Sequence, residues 1–276
     1  SLTGSFPMLI RNVLALVLPI LLVFTAPQAG VAEIMVDVEL ILAVDVSRSM
    51  DEDEQIVQRR GYVEAFQHPA VIDAIQAGRF GRIAVTYVEW AGANLQHIAL
   101  PWLVVDGPAS AKDFARQLAA IPLTQHRKTS ISSALEFSVS LFAKNGFTSG
   151  KKVIDVSGDG PNNSGLPVAV VRDRTLAEGI TINGLPIMLG EGRGGGFFDI
   201  ELLDLYYEDC VIGGTGSFIV SVRHPDEFVP AIRRKLILEI AGQVPRLHYA
   251  QISRSLEPID CMIGEKLWDA WINDQE

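Results

Sequence analysis

The stretch that decides the fold is VDVELILAVDVSRS at residues 36–49. It begins by alternating polar and apolar residues and becomes a continuous apolar run, which predicts a strand covered on both faces. The acids at positions 51–54 suit the positive end of a helix dipole, so a helix is predicted over residues 51–67. A buried strand followed directly by a helix is the first unit of an alternating α/β series.

The rest of the chain repeats this alternation. Further strands are predicted at 81–90, 97–105, 152–157, 180–188 and 217–222, and further helices at 109–120, 130–145, 166–178, 199–209 and 226–241. The short link after residue 90 predicts a hairpin and therefore an antiparallel edge strand. The sequence thus predicts an α/β fold with a doubly wound, mostly parallel sheet, one antiparallel edge strand and helices on both faces.

The same pattern predicts the organisation of the chain. One domain is expected over residues 33–245, followed by a C-terminal appendage at 246–276 that breaks the alternation. Trp268 and Trp271 are candidate anchors of this appendage on the body. In a sheet of this kind, ligands bind beyond the carboxyl ends of the strands, so functional side chains are expected there.

Composition excludes several classes of protein. Of 276 residues, 48% are hydrophobic and 20% are charged, which argues against a disordered chain, and the 24 glycines show no period of three. The net charge is −10 and the isoelectric point is about 5.0. A nucleic-acid partner is not expected, because such a partner requires a clustered basic surface.

Residues 1–32 are predicted to be a signal peptide. Arg11 precedes an apolar run at 13–24 that is too short to span a bilayer, and small residues, Gly30 and Ala32, occupy the −3 and −1 positions if cleavage follows Ala32. A retained N-terminal anchor is the alternative. Cleavage would remove one Arg and no acid, leaving a net charge of −11 and no expected membrane span. The expected location is the periplasm or the exterior of the cell.

Export changes how the two cysteines are interpreted. Cys210 and Cys261 form an even pair in what would be an oxidising compartment, so a single disulfide is one interpretation. Two separate buried thiols are the other, and the sequence leaves both open.

Candidate metal ligands follow the first strand. An Asp that leaves a buried strand, Asp45, is followed at two-residue intervals by Ser47 and Ser49. These side chains can aim three hard oxygen donors at one point, and hard oxygens suit Mg²⁺, whereas zinc would prefer His and Cys. The same spacing also fits an ordinary helix N-cap, so on its own it is weak.

Two further features match the first. Asp159 follows the predicted strand at 152–157, and Thr129 stands immediately before the predicted helix at 130–145. In this order, the residues resemble the metal-ion-dependent adhesion site of the von Willebrand factor A domain. The stretches SGDGPNNSG at 157–165 and YYEDCVIGG at 206–214 are similar to those of a bacterial group of exported A-like domains. The resemblance covers residues 36–242.

The resemblance implies a role for each matched residue. Ser47 and Ser49 would be direct hydroxyl ligands of Mg²⁺, or of Mn²⁺ or Ca²⁺, and Thr129 would join when the site is occupied. Asp45 and Asp159 would hold the ion directly or through water. One position departs from the pattern, because Gly158 stands where the family usually has a hydroxyl-bearing residue.

The implied function is binding of a protein partner that presents an exposed Asp or Glu to the metal ion. Arg127 and Lys128 precede Thr129, where they could steer an acidic partner or form a solvated loop. Further candidate rim contacts are Trp90, Asn162 and Asn163. The alternative is that these side chains serve only in packing and turn formation.

Two other functions remain open at the level of sequence. One is a Mg²⁺-dependent periplasmic hydrolase or phosphatase, although the chain has no HExxH and no GxSxG motif. The other is a structural domain with a vestigial metal site. We expect no catalysis, because the site offers no evident nucleophile or general base besides the ligands.

Overall fold

The computed structural model describes residues 3–4, 33–189, 200, 202–242 and 258–274. By its contacts the chain divides into residues 1–32 and residues 33–276. The predicted signal peptide lies, apart from residues 3–4, outside the described residues. Among the described residues, no helix has the length and apolar character that a membrane crossing requires.

The elements of the second unit alternate along the chain. The strands are β1 (Ile34–Met35), β2 (Glu39–Asp45), β3 (Ile83–Trp90), β4 (Gln96–Val105), β5 (Phe147–Thr148), β6 (Lys152–Gly158) and β7 (Thr181–Pro186). The helices are α1 (Glu52–Phe66), α2 (Pro69–Gln76), α3 (Pro108–Ala119), α4 (Ile131–Leu141), α5 (Val168–Ala177), α6 (Leu203–Tyr206), α7 (Phe228–Ala241) and α8 (Ile263–Asn273). A π-helical turn spans Tyr207–Val211 and a 3₁₀ turn spans Pro225–Glu227.

The main sheet confirms the predicted fold. Its strand order is β4-β3-β2-β6-β7, with β3 and β4 antiparallel and every other pair parallel. Strand β2 lies at the centre. Its side chains alternate between two cores: Leu40 and Leu42 pack on the side of α1 and α7, whereas Ile41 and Ala43 pack on the side of α4. Burial on both faces explains why the stretch is apolar without interruption.

A short loop joins β2 to α1, and its far end is fixed by a helix cap. The Glu54 N–H donates to Asp51 Oδ1 at 2.8 Å, and the Asp51 N–H donates to Glu54 Oε2 at 3.0 Å. This reciprocal capping box satisfies two backbone donors at the helix start. The loop that carries Ser47 and Ser49 is therefore held between a buried strand and a capped helix.

Several elements differ from the predictions. The sequence reasoning missed α2, which follows α1 after two residues, and β1 and β5, which form a separate two-stranded parallel sheet. The predicted strand at 217–222 lies beside β7 through isolated bridges at Ile219 and Val222 rather than as a regular strand. The predicted helix at 199–209 begins at Leu203 and ends in the π-helical turn.

A buried ionic cluster connects β6 to α7. Lys235 Nζ lies 3.1 Å from Asp155 Oδ1 and 2.7 Å from Glu239 Oε1, and Asn183 Nδ2 donates to the same Glu239 oxygen at 2.9 Å. Burial, together with the nearby Glu239 carboxylate, raises the pKa of Asp155 to about 8. One ammonium thus faces two carboxyl groups, and the buried cluster favours keeping a proton on one of them.

The C-terminal segment is attached to the body covalently. Cys210 in the π-helical turn and Cys261 just before α8 form a disulfide, with their Cα atoms 5.5 Å apart. The Ile259 N–H also donates to Asp209 Oδ2 at 3.1 Å. Residues 258–274 are therefore joined to the domain next to Tyr207.

Candidate metal centre

The candidate site lies at the carboxyl ends of the two central parallel strands. Strand β2 ends at Asp45, and the adjacent strand β6 is followed by Asp159. The Ser47 N–H donates to Asp45 Oδ1 at 2.7 Å, the Ser47 and Ser49 hydroxyl oxygens are 2.8 Å apart, and Ser49 Oγ donates to Asp159 Oδ1 at 2.8 Å. Four of the five predicted ligands thus form one connected group.

Thr129, the fifth predicted ligand, lines the same cleft as Ser47, Ser49 and Asp159. Two hydrogen bonds join its loop to the loop after β6. The Thr129 N–H donates to Asn163 Oδ1 and the Asn163 N–H donates to the Thr129 carbonyl, both at 2.9 Å. The loop before α4 is therefore held against the loop that carries Asp159.

The donor set fits a hard divalent cation. Asp45 is buried, and its Oδ2 has no hydrogen-bond partner among the described residues. Burial, and then repulsion from Asp159, raises the pKa of Asp45 well above its usual value. A buried carboxylate oxygen without a partner is costly, and a cation between the two carboxylates would remove that cost.

The types of donor also bear on the choice of ion. Within the described ranges, no three or more His, Cys, Asp or Glu side chains gather into a metal site. The five candidate ligands are two carboxylates, Asp45 and Asp159, and three hydroxyls, Ser47, Ser49 and Thr129. Oxygen donors alone suit Mg²⁺ or Mn²⁺ better than they suit structural zinc.

Tyr207 occupies the space beside Gly158. A Cβ atom added at position 158 would lie 3.0 Å from Asp45 Oδ2 and 3.0 Å from Tyr207 Oη. Tyr207 is buried, its hydroxyl has no hydrogen-bond partner among the described residues, and burial followed by the nearby Asp45 raises its pKa. A phenol hydroxyl thus stands beside the position whose hydroxyl this chain lacks. Sequence reasoning missed Tyr207, because no local pattern links it to Asp45.

The candidate ligands open into a cleft of about 400 Å³. Its cationic side chains come from two loops that pair with each other, since the Arg48 N–H donates to the His126 carbonyl at 2.7 Å. The opposite wall is provided by α8. The cleft is lined by Ser47, Arg48, Ser49, Arg127, Lys128, Thr129, Asp159, Gly160, Pro161, Asn163, Trp268 and Trp271.

Three of the five candidate rim residues line this cleft, namely Arg127, Lys128 and Asn163. The other two do not, because Trp90 and Asn162 are buried. Trp90 packs in the core beneath α4. Asn162 is a connector: its Oδ1 accepts from the Ser132 N–H at 3.0 Å and its Nδ2 donates to Glu265 Oε1 at 2.7 Å.

The family described as "Protein of unknown function (DUF1194)" matches residues 35–244. The chain belongs to this family. No curated protein matches its sequence significantly.

Several solved structures share the fold. Proximal thread matrix protein 1 from the mussel byssus, in a structure with a zinc-occupied MIDAS motif, is 15% identical, with a TM-score of 0.51 over 76% of this chain and 49% of that chain. The von Willebrand factor type A protein from Catenulispora acidiphila is 16% identical, with a TM-score of 0.50 over 76% of this chain and 46% of that chain.

A third structure is matched over nearly its whole length. The von Willebrand factor domain of the pilus tip protein Mfa5 from Porphyromonas gingivalis is 12% identical, with a TM-score of 0.50 over 73% of this chain and 94% of that chain. The described chain therefore has a von Willebrand factor A-like fold. It spans about half the length of the mussel protein.

Proposed function

We propose that the chain is an exported, metal-dependent protein-binding module of the adhesion or scaffold type. Asp45, Ser47, Ser49, Thr129 and Asp159 would hold a Mg²⁺-type ion, and the ion would coordinate an exposed Asp or Glu of a partner protein. The observation that carries the proposal is the Asp45 Oδ2 atom, buried without a hydrogen-bond partner among the described residues. The protein would be located in the periplasm or outside the cell.

The chemistry of the site supports binding of an acidic group. Mg²⁺ takes oxygen ligands in octahedral array and usually keeps positions for external oxygens. Two carboxylates would balance its charge and leave at least one coordination position, at which a carboxylate oxygen of a partner could bind. Affinity for the metal alone is expected to be weak, with a Kd on the order of 10⁻⁴ to 10⁻³ M, as in extracellular Ca²⁺ modules.

The residues around the ligands favour binding over catalysis. Among the residues that the structure describes, the side chains that line the cleft include neither His nor Cys, and Asp159 supplies the carboxylate. A hydrolase would need a base or nucleophile besides the groups that hold the ion. The similar structures are consistent with this proposal, since they include a byssus matrix protein and a pilus tip protein.

The metal site is tested by calorimetric titration of the full chain with Mn²⁺ and with Mg²⁺. Asp159→Asn and Asp45→Asn should abolish binding while the thermal unfolding transition persists. Asp113→Asn is the matched control, because Asp113 is an exposed carboxylate on α3 with partners of its own. Wild-type titration curves in both site variants would refute the proposed ligands.

The partner is sought by pull-down from an envelope extract, with and without EDTA, using wild type and Asp159→Ala. Proteins that are retained by wild type, released by EDTA and not retained by the variant support the proposed function. Phosphatase turnover that requires Mg²⁺ and disappears in EDTA would contradict it and favour an enzyme.

A further inference from the structure

The wall of the cleft formed by α8 is aromatic. Trp268 and Trp271, one turn apart, are half-buried and pack against each other in a tilted arrangement, with ring centroids 5.3 Å apart and an interplanar angle of 35°. Lys128 Nζ reaches across from the loop before α4 and lies 4.8 Å from the centre of the Trp268 ring. The indole wall and the loop that carries Thr129 therefore contact each other directly.

Helix α8 is docked at this position by specific contacts. Beyond the Cys210–Cys261 disulfide, Glu265 Oε1 accepts from Asn162 Nδ2 at 2.7 Å. Gly264 lies so close to the loop after β6 that an added Cβ would be 2.1 Å from the Asn162 carbonyl oxygen. Ile263 packs against the same core as β2 and α4. These contacts hold the wall against the loop that carries Asp159.

The floor of the cleft is cationic, although the chain as a whole carries a net charge of −10. Arg48, Arg127 and Lys128 line it and are exposed. Lys128 has a φ of 70°, a costly conformation for a residue with a side chain. Gly92 allows the turn to pack closely, since a Cβ there would lie 2.9 Å from the Arg127 carbonyl oxygen. Close packing thus holds the turn in the conformation that brings Lys128 to Trp268.

Trp and Arg are the side chains that most often dominate the binding energy of protein interfaces. A volume of about 400 Å³ can hold a short segment but not a domain. Positive charge selects an acidic ligand, and a pair of adjacent indoles offers an aromatic or apolar side chain a surface on which to pack.

We propose that the cleft binds an acidic polypeptide segment in which an aromatic residue lies next to the carboxylate. The aromatic side chain packs against Trp268 and Trp271, and neighbouring acids pair with Arg48, Arg127 and Lys128. The contact between the carboxylate and the ion rests on the proposed function, whereas the aromatic and cationic contacts do not. Helix α8 is then the element that determines specificity.

The test uses the full chain and fluorescein-labelled Gly/Ser peptides that carry Asp-Trp, Asp-Ala or Asn-Trp between two flanking Glu residues. Binding is followed by anisotropy in Mn²⁺ and again in EDTA. Wild type should prefer Asp-Trp over Asp-Ala by between about threefold and tenfold, the value of one aromatic contact. Trp268→Ala/Trp271→Ala should remove this preference without changing the Mn²⁺ affinity.

Three further variants isolate the cause. Trp268→Phe/Trp271→Phe keeps aromatic surface and should retain part of the preference, even if the alanine variant docks α8 poorly. Trp102→Phe is the matched control, because Trp102 lies on β4 outside the cleft and packs near Phe142. Arg127→Glu should weaken binding of every acidic peptide to a similar extent.

The outcomes separate this proposal from the proposed function. If Mn²⁺ does not bind but a tryptophan-dependent Asp-Trp preference persists in EDTA, the metal proposal fails and the wall proposal stands. The wall proposal is overturned if the preference is absent from wild type or survives in the alanine variant. It is also overturned if alginate, an acidic glycan, binds in the cleft and the peptides do not.

Discussion

Substitution of Gly264 by Ala tests whether α8 belongs to the site. The added Cβ would lie 2.1 Å from the Asn162 carbonyl oxygen and 3.1 Å from Pro161 Cβ. Carbon and oxygen atoms of this kind normally stay about 3.3 Å apart. Because the nearest atom belongs to the backbone and not to a flexible side chain, α8 must move away by roughly 1 Å.

The magnitude follows from the contacts that such a movement disturbs. Overpacking costs about 1–3 kcal/mol, and weakening of the half-buried Asn162–Glu265 hydrogen bond adds about 1 kcal/mol. The exposed stacking of Lys128 on Trp268 contributes about 0.5 kcal/mol more. Ala is the better helix former by up to about 1 kcal/mol. The free energy that favours docking of α8 should therefore decrease by about 2 kcal/mol in total.

The disulfide should keep the displaced helix attached, so the loss is expected to be local. Amide hydrogen exchange in α8 should accelerate about 30-fold, which corresponds to 2 kcal/mol in the opening equilibrium. The emission of Trp268 and Trp271 should shift towards that of solvated indole. Exchange in β2 and β6 should change little.

Gly150→Ala is the matched control, because an added Cβ there meets no atom within 4 Å. It should leave the exchange of α8 unchanged. If Gly264→Ala likewise leaves both α8 exchange and tryptophan emission at wild-type values, the docking described here is refuted, and with it the physical basis of the aromatic wall.

Three further predictions concern stability, each measured by urea unfolding. Burial raises the pKa of Asp155 to about 8 in the folded state, whereas the pKa in the unfolded state is 3.8. Between these two values the folded state holds a proton that the unfolded state releases. The free energy of unfolding should therefore fall as the pH rises from about 4 to about 8, by up to on the order of 5 kcal/mol. Asp155→Asn should flatten this decline, and an identical pH profile would contradict the assignment. Cys210→Ser/Cys261→Ser opens a covalent loop whose ends are 51 positions apart and should cost about 4 kcal/mol, with reductant lowering the stability of wild type but not of the variant; equal stabilities would refute it. Glu89→Gln removes the buried partner of Arg59, whose Nη2 lies 2.6 Å from Glu89 Oε1, and should cost about 3–5 kcal/mol. The double variant Arg59→Met/Glu89→Met should lose less stability than Glu89→Gln alone. A larger loss in the double variant would count against an unpaired Arg59 charge as the cause of the destabilisation.

Much of the fold was predictable because its decisive residues are close in sequence. The apolar run of β2 and the acids at the start of α1 determine a strand, a loop and a helix within some thirty residues. Once neighbouring parallel strands were predicted, Asp45 and Asp159 were expected at one edge of the sheet. In the structure, hydrogen bonds through Ser47 and Ser49 connect the two, and the last of these, from Ser49 Oγ to Asp159 Oδ1, is 2.8 Å long.

Other features depend on contacts between distant segments. Tyr207 reaches the neighbourhood of Asp45 through the π-helical turn, which leaves no periodic signal in the sequence. The close packing of α8 depends on Gly264, whose role becomes visible only beside the Asn162 backbone. Helix α2 did carry local signals, since His68 caps it and Pro69 is its first residue, but the short break after α1 concealed them.

The contact between Gly158 and Tyr207 predicts how the two positions change in evolution. A methyl group at 158 would meet both the tyrosine hydroxyl and Asp45 at 3.0 Å, so a serine or threonine there fits only if Tyr207 shifts by a few tenths of an ångström, and it fits better beside a shorter residue at 207. Among relatives, glycine at the first position should accompany tyrosine at the second, and a hydroxyl side chain at the first should accompany a smaller neighbour. A search that scores each ligand position by itself would rate such sequences as defective, whereas a paired search would group them as one lineage.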